Sequence, residues 1–244
     1  MPNALLSVIL PVKNDIARLP GVLPRLAEAV SLTEMTYGGN VEVVIVDDAS
    51  RDSSAAFAGE NLHLFDCARL VRLPWPCGLA TAVRAGVCEA TGDNIVVLSH
   101  GTAVDATYLG GLLDMLEEAD AVLSGQPQAA ADQASGRGAR RVAGAGYARL
   151  MRRLTPASTR SPHPVFVALR AETAERLLLS LRRTGLAYDL ETRMAIEAMG
   201  LRLAHLPVAS GDSFEVEVEV ERPGVGRPAS IGLALPVEQQ GADI

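Results

Sequence analysis

Aromatic residues are scarce in this chain of 244 residues, at 4% of the composition, and there are only three cysteines. So few aromatic side chains argue against the stacking platforms that bind single-stranded nucleic acid. The formal net charge of −7 argues against a duplex-binding surface, which needs a basic balance. Cys67, Cys77 and Cys88 lack the even number of a disulfide framework and the spacing of a zinc site. We therefore predict no nucleic-acid partner and free thiols in a reducing compartment.

Long apolar runs are also missing. No stretch reaches the roughly 18 apolar residues of a membrane-spanning helix, and the N-terminus lacks the pattern of a signal peptide. We therefore expect a cytoplasmic protein with no membrane span. The composition, 48% hydrophobic and 21% charged, is that of a globular chain long enough for one large domain.

Strands alternate with helices through the first half of the chain. Short apolar runs predict buried strands at 7–12, 41–46, 70–73, 94–98 and 121–124. The first intervening helix is expected to be confined by Pro20 and Pro24 to its later part. This alternation predicts an α/β fold with a mostly parallel central sheet flanked by helices. Ligands of such sheets bind beyond the carboxyl ends of the strands, where Asp47, Asp48 and Ser99 fall.

The second half of the chain is less regular. A Gly- and Ala-rich loop is expected at 126–139, and further elements are predicted as helices near 142–154, 171–183 and 190–199 and strands at 165–169, 203–208 and 214–221. We expect a single domain over residues 1–221. Residues 222–244 carry Pro and Gly with few apolar anchors, which favours a loose C-terminal tail.

Five sequence patterns resemble, in order, those of family-2 glycosyltransferases with the GT-A fold. They are SVILPVKND at 7–15, VIVDDAS at 44–50, GLATAVRAG at 78–86 followed by ATGD at 90–93, IVVL at 95–98 with Tyr108 and Leu109, and YDLE at 188–191 with Gly200. Within that family, the chain most resembles the polyprenyl-phosphate sugar transferases. The resemblance implies a nucleotide-binding half at 1–125 and an acceptor half at 126–221. It also implies sugar transfer, with inversion, from a nucleotide-diphosphate donor to a small-molecule or lipid-phosphate acceptor.

The resemblance implies roles for individual residues. The general base for a hydroxyl acceptor is expected to be Asp189, with Glu191 as the second candidate. Nucleotide-sugar contacts are expected from Pro11, Val12, Asn14, Asp15, Asp47, Asp48, Gly78, Arg84, Ser99, His100, Gly101, Arg140 and Arg141. A carboxylate at the end of the second strand, such as Asp48, can accept hydrogen bonds from a base or ribose. Gly78 and Gly86 are expected to let a loop and a helix approach the ligand, with ordinary turn formation as the alternative.

One family pattern is missing. Active members carry a metal-binding Asp-x-Asp at the end of the fourth strand, where this chain has Ser99, His100 and Gly101. Magnesium or manganese is the cofactor that the resemblance implies, but these hard cations prefer carboxylate oxygens. We therefore predict no metal ligands and little metal dependence.

Arginines offer another source of positive charge. Between Gln133 and Ala171 there is no Asp or Glu, yet the segment holds Arg137, Arg140, Arg141, Arg149, Arg152, Arg153, Arg160 and Arg170. Arginine makes forked contacts with phosphate and keeps its charge when desolvated. Arg140 and Arg141 lie nearest the predicted 126–139 loop, so we expect them to reach the diphosphate. The alternative is a solvated helix face.

Two functional classes remain open from the sequence. The first is the enzyme described above. The second, motivated by the missing Asp-x-Asp, is a catalytically silent GT-A-like protein that binds a nucleotide or a partner chain. The sequence also leaves open whether the chain is a monomer or a homodimer.

Overall fold

The computed structural model describes residues 4–98, 106–125, 164–181, 186–207, 216–221 and 229–233. Its strands are β1 (Leu6–Val12), β2 (Val41–Asp47), β3 (Cys67–Arg72), β4 (Asn94–Leu98), β5 (Ala121–Gly125), β6 (Pro164–Arg170), β7 (Leu203–Pro207), β8 (Val216–Glu221) and β9 (Ala229–Leu233). Its α-helices are α1 (Leu19–Tyr37), α2 (Ser54–Glu60), α3 (Leu79–Glu89), α4 (Ala106–Glu118), α5 (Ala171–Leu178) and α6 (Leu186–Ala198). Within these ranges no helix combines the length and the apolar character needed to cross a membrane.

The nine strands form one sheet in the order β3-β2-β1-β4-β6-β5-β7-β8-β9. β1 to β4 pair in parallel, and so do β5 and β7, while β6 runs antiparallel between β4 and β5. In the part from β3 to β7, β6 is therefore the one strand that runs against the others. The predicted α/β fold with a mostly parallel central sheet is confirmed.

Helices cover both faces of the sheet. β1 and β2 are buried along their whole length, and successive side chains of a strand point to opposite faces. On one face Leu10 and Ile45 pack with α1 and α4, and on the other Ile9 and Val44 pack with α3, α5 and α6. The parallel strands all end at the same edge, which we call the carboxyl edge. The opposite edge is called the amino edge.

Gly86 explains how closely α3 sits on the sheet. A Cβ atom at this position would lie 2.5 Å from Cγ2 of Ile9 in β1, which is far too close. The missing side chain therefore serves helix–sheet packing. The expectation that Gly86 also lets the helix approach the ligand stays a prediction.

The start of α1 also differs from the prediction. The helix begins at Leu19 and already contains Pro20, although we expected the prolines to delay it. Pro20 lies in the first turn, where a backbone N–H has no intrahelical partner to lose. Pro24 lies farther inside and removes one hydrogen bond, which the buried apolar face of the helix offsets.

Part of the C-terminal segment is ordered as a strand. β9 lies within residues 222–244, which we expected to be a loose tail, and it pairs antiparallel with β8. Leu233 is opposite Val216, and Ala229 is opposite Val220. The predicted helix at 142–154 lies outside the described residues.

A buried carboxylate links the neighbouring elements at the amino edge. Glu42 of β2 is only 1% exposed and accepts hydrogen bonds from the Ser7 hydroxyl and from the backbone N–H of Thr91. Arg69 Nη2 lies 2.8 Å from its second oxygen. Burial alone would raise the pKa of Glu42, but these hydrogen bonds and the arginine charge outweigh it, and the pKa lies below its usual value. The ionised side chain thus joins β1, β2, β3 and the turn between α3 and β4.

We predict that Glu42→Gln lowers the free energy of unfolding by about 2 kcal/mol at pH 7. The amide loses the ion pair with Arg69 and cannot match every donor around the site. Because folding lowers the pKa of Glu42, its stabilising effect is present above the unfolded-state pKa of about 4.3. It is lost as the pH falls through the folded-state pKa. Urea denaturation should therefore show that the difference between wild type and variant shrinks on acidification.

The matched control is Glu28→Gln, because Glu28 is an exposed residue of α1. It should change stability by no more than about 0.5 kcal/mol. A Glu42→Gln variant as stable as the control variant, or a difference that does not vary with pH, would contradict the role given to Glu42.

Candidate nucleotide-binding site

Three neighbouring strands end together at the carboxyl edge. Val12 of β1 is in register with Asp47 of β2, and Asp47 is in register with Arg72 of β3. The chain stays paired just beyond the strands, because Asp48 N donates to the Val12 carbonyl at 2.9 Å and Leu73 N to the Asp47 carbonyl at 2.9 Å. The segments that leave β1, β2 and β3 therefore lie side by side.

Asp48 is the centre of this edge. Its side chain is buried, and its Oδ1 accepts a hydrogen bond from the backbone N–H of Cys77 at 2.6 Å. The N–H of Gly78 lies 3.1 Å from Oδ1 and 3.0 Å from Oδ2. Lys13 Nζ donates to Oδ2 at 2.6 Å. One carboxylate thus ties the end of β1 to the loop between β3 and α3, residues 73–78, which we call the β3–α3 loop.

The electrostatics of this group favour the ionised form. Burial alone would raise the pKa of Asp48, but the hydrogen bonds from Lys13, Cys77 and Gly78 outweigh it and hold the pKa below its usual value. Lys13 is the more exposed partner, because 43% of its side chain is exposed against 4% for Asp48. A ligand can therefore displace Lys13 from Oδ2 more easily than the two backbone donors.

The loops after β1 and β2 are joined to each other. Asn14 N donates to Ser50 Oγ at 2.9 Å, and Arg51 N donates to Asn14 Oδ1 at 2.8 Å. Asn14 and Ala49 both adopt positive φ, near 49° and 50°. Left-handed backbone at a non-glycine residue is unfavourable by about 1–2 kcal/mol, so the surrounding hydrogen bonds must hold it. Strain of this kind is common at binding sites.

Asp47 and Asp15 are both buried but have different surroundings. Asp47 is 1% exposed, and its Oδ2 accepts from Ser50 N at 3.2 Å, whereas its Oδ1 is buried without a hydrogen-bond partner among the described residues. Asp15 accepts from Arg18 Nε at 2.5 Å through its side chain, and its N–H donates to Ser54 Oγ at 2.7 Å. Asp15 therefore fixes the start of α1, while Asp47 keeps one acceptor unused.

The remaining predicted contacts in the first half fall into two groups. Pro11 and Val12 are buried, and Gly78 has φ near 87°, a conformation that favours glycine, so these residues shape the backbone of the edge. Arg84 lies farther along α3, where its guanidinium donates to the Leu181 carbonyl at 3.2 Å and to Thr81 Oγ1 at 3.1 Å. One edge of the sheet thus holds the predicted contacts Pro11, Val12, Asn14, Asp47, Asp48 and Gly78. Arg84 instead makes hydrogen bonds within α3 and to the segment that follows α5.

The two predicted acids of the acceptor half lie on α6. This helix precedes β7, which points the same way as β5, so its first turns lie toward the carboxyl edge. Asp189 is in the first turn, and Glu191 follows as a half-buried residue. Tyr188, the residue before Asp189, is buried in the core that α6 shares with α3 and α5.

The other predicted site residues, Ser99, His100, Gly101, Arg140 and Arg141, lie outside the described residues. In the part of the chain that is described, no three His, Cys, Asp or Glu side chains come together in a way that could hold a metal ion. Ser99, His100 and Gly101, which the resemblance places where the family carries Asp-x-Asp, offer one hydroxyl and one imidazole but no carboxylate. This donor set does not fit magnesium or manganese.

Sequence reasoning missed two residues of this edge, Lys13 and Trp75. Lys13 follows Val12, whose partner is Asp47, so parallel register alone places Lys13 beside Asp48. The two motifs alone do not display this register, so nothing in the sequence indicated the contact. Trp75 lies in the β3–α3 loop and is 66% exposed, which no sequence pattern indicated.

Part of the chain is similar in sequence to a curated protein. A curated relative, an undecaprenyl-phosphate 4-deoxy-4-formamido-L-arabinose transferase of Pseudomonas paraeruginosa, is 36% identical over 98 residues, which are 40% of this chain and 28% of that protein. The chain therefore aligns with less than a third of the length of this relative.

Solved structures share the fold at low identity. S. aureus TarS 1-349 in complex with UDP-GlcNAc has a TM-score of 0.57 and 17% identity, covering 87% of this chain and 62% of that one. The mannosyltransferase PcManGT from Pyrobaculum calidifontis, in complex with GDP-Man and Mn2+, has a TM-score of 0.55 and 21% identity, covering 82% of this chain and 54% of that one.

A sequence model of a protein family matches most of the chain and identifies the family. The model for glycosyl transferase family 2 matches residues 7–178, more than half of the chain. The matched region starts in β1 and ends with α5, so it includes the ends of β1, β2 and β3 around Asp48. This chain belongs to glycosyl transferase family 2.

Proposed function

We propose that this chain transfers a sugar from a nucleotide-diphosphate donor to an acceptor, with inversion at the anomeric carbon. The observation that carries the proposal is the arrangement around Asp48, where a buried ionised carboxylate, an exposed lysine and a glycine-bearing loop meet at the carboxyl edge. Open sheets of this kind bind ligands beyond the carboxyl ends of their strands. The nucleotide sugars in TarS and PcManGT, UDP-GlcNAc and GDP-Man, support the same class of donor here.

In this mechanism Asp48 meets the edge of the nucleoside. A base or ribose N–H or O–H group takes the place of Lys13 on Oδ2, while Cys77 and Gly78 keep hold of the carboxylate. Lys13 is then free to donate a hydrogen bond to an oxygen of the nucleotide sugar. Asp47 offers its unused Oδ1 as a second acceptor at the same edge.

The chemical step is a single displacement. The acceptor attacks the anomeric carbon as the diphosphate leaves from the opposite face, which inverts the configuration. A hydroxyl acceptor must lose a proton, and Asp189 takes it, with Glu191 as the second candidate. A phosphate acceptor is already anionic and needs no base, so both acids would then only position it. The name of the undecaprenyl-phosphate relative supports a lipid-phosphate acceptor, and a small molecule is the alternative.

The leaving diphosphate must be stabilised by positive charge. Because Ser99, His100 and Gly101 do not fit magnesium or manganese, we assign this role to the arginine segment, with Arg140 and Arg141 nearest the phosphates. The same absence of carboxylates favours a second candidate function. In that alternative the chain binds the nucleotide at the carboxyl edge but transfers nothing.

We predict that the purified chain slowly hydrolyses at least one of a panel of UDP- and GDP-sugars, and that hydrolysis continues in excess chelator. Fixed cations rather than a bound metal would meet the developing charge. Release of nucleoside diphosphate measures the rate, and the anomeric proton signal of a transfer product reports inversion. Loss of turnover in chelator with recovery in added manganese would contradict metal independence. Binding of nucleotide sugars without any turnover would favour the silent alternative.

We predict that Asp48→Ala weakens nucleoside-diphosphate binding by about 1–3 kcal/mol, or roughly five- to 150-fold, measured by calorimetry. The change removes an acceptor for the nucleoside and the anchor of the β3–α3 loop. Asp66→Ala is the matched control, because Asp66 is exposed just before β3 at the amino edge. If folded Asp48→Ala bound as tightly as this control, Asp48 would have no part in the site.

A further inference from the structure

Trp75 is the one tryptophan of the chain, and its exposure is unusual. It is 66% exposed, whereas Tyr37, Phe57, Phe65, Phe166 and Tyr188, the other aromatic residues whose side chains are described, are buried or half-buried. A large apolar ring in water gains free energy when a ligand covers it. An exposed tryptophan beside a binding site is therefore a candidate contact for that ligand.

The loop that carries Trp75 is held at both ends. Leu73 N donates to the Asp47 carbonyl at 2.9 Å, and Cys77 N donates to Asp48 Oδ1 at 2.6 Å. Pro74 and Pro76 fix φ on either side of the tryptophan. Cys77 Sγ also donates to the Trp75 carbonyl at 3.2 Å. The backbone under the ring is thus ordered before a ligand arrives, so binding loses little conformational entropy.

The strand order places this loop at one end of the site. Trp75 is two residues from Cys77, so their Cα atoms are no more than about 7.6 Å apart, and Cys77 touches Asp48. The carboxyl end of β4, which leads to Ser99, is three strands away in the order β3-β2-β1-β4, or about 14 Å. Trp75 therefore lies at the Asp48 end of the edge, away from the strand where the family carries its diphosphate-binding motif.

We propose that Trp75 is a stacking platform for the nucleobase of the donor. This inference rests on the proposed function, since it concerns the same site. Asp48 and Lys13 supply hydrogen-bonding groups for the edge of a base, and the indole ring supplies a surface for its face. Every nucleobase has a flat π-face, so stacking strengthens binding with little choice among bases. Trp75 thus raises affinity for nucleoside diphosphates in general, whereas the hydrogen-bonding groups of Asp48 and Lys13 select among bases.

The position of Trp75 makes binding directly observable. Because the chain has a single tryptophan, fluorescence excited at a wavelength that its four tyrosines do not absorb reports on this ring alone. Titration with UDP or GDP should change the emission in a saturable manner, and the midpoint should agree with the dissociation constant from calorimetry. Inorganic pyrophosphate, which has no base, should bind without the same change.

Substitutions separate stacking from other roles. Trp75→Leu should weaken UDP and GDP binding by about five- to 100-fold and leave pyrophosphate binding unchanged, whereas Trp75→Phe should retain most of the affinity. Met35→Ala is the matched control, since Met35 is 83% exposed on α1 near its amino-edge end and should leave binding unaltered. Circular dichroism and thermal melting check that each variant is folded.

Different outcomes overturn different claims. If wild type binds nucleoside diphosphates but Trp75→Leu binds them equally well, the nucleobase does not stack on Trp75, and the proposed function stands. The same conclusion follows if Trp75→Leu weakens pyrophosphate as much as UDP, or if it impairs only the use of a lipid-phosphate acceptor. If wild type binds no nucleoside diphosphate at all, the proposed function and this inference both fail.

Discussion

The hydrogen-bonded carboxylate of Asp48 is the constraint on which the candidate site depends. Two backbone donors from the β3–α3 loop and the ammonium group of Lys13 converge on it, although Asp48 itself is almost fully buried. A buried charge is tolerated only when it is paired, so removing any of these partners would destabilise the others. This one side chain thus fixes the backbone of Cys77 and Gly78, which is one end of the loop that carries Trp75.

A buried carboxylate lies near each end of β2, Glu42 within the strand and Asp48 just beyond it. Glu42 at the amino edge accepts hydrogen bonds from Ser7 and Thr91 and pairs with Arg69, so it joins β1, β2, β3 and the α3–β4 turn. Asp48 at the carboxyl edge also has a lowered pKa and one part-exposed cation among its partners, since the side chain of Lys13 is 43% exposed and that of Arg69 is 38% exposed. The two carboxylates differ in position, because ligands of open sheets bind beyond the carboxyl ends of the strands, and there Asp47 leaves a buried acceptor unused beside Asp48.

The fold could be predicted from sequence because its signals are local. The apolar runs of β1, β2 and β4 are too short for buried helices and are separated by turns, and β4 was predicted with its observed bounds. Side-chain neighbours depend on register, which a single sequence does not display, so Lys13 and Trp75 were missed. The packing role of Gly86 was missed for the same reason, because only the packed structure shows Ile9 beneath it. The start of α1 was misjudged because Pro20 is harmless in a first turn.

A crystal structure with a bound nucleoside diphosphate tests the central claim, that the carboxyl edge around Asp48 binds the nucleotide of a sugar donor. The account predicts that the nucleoside lies over the ends of β1, β2 and β3, with its edge at Asp48 in the position that Lys13 now occupies and its base against Trp75. The phosphates would then extend toward the end of β4. A nucleotide bound away from this edge, with the contact between Lys13 and Asp48 intact, would contradict the account.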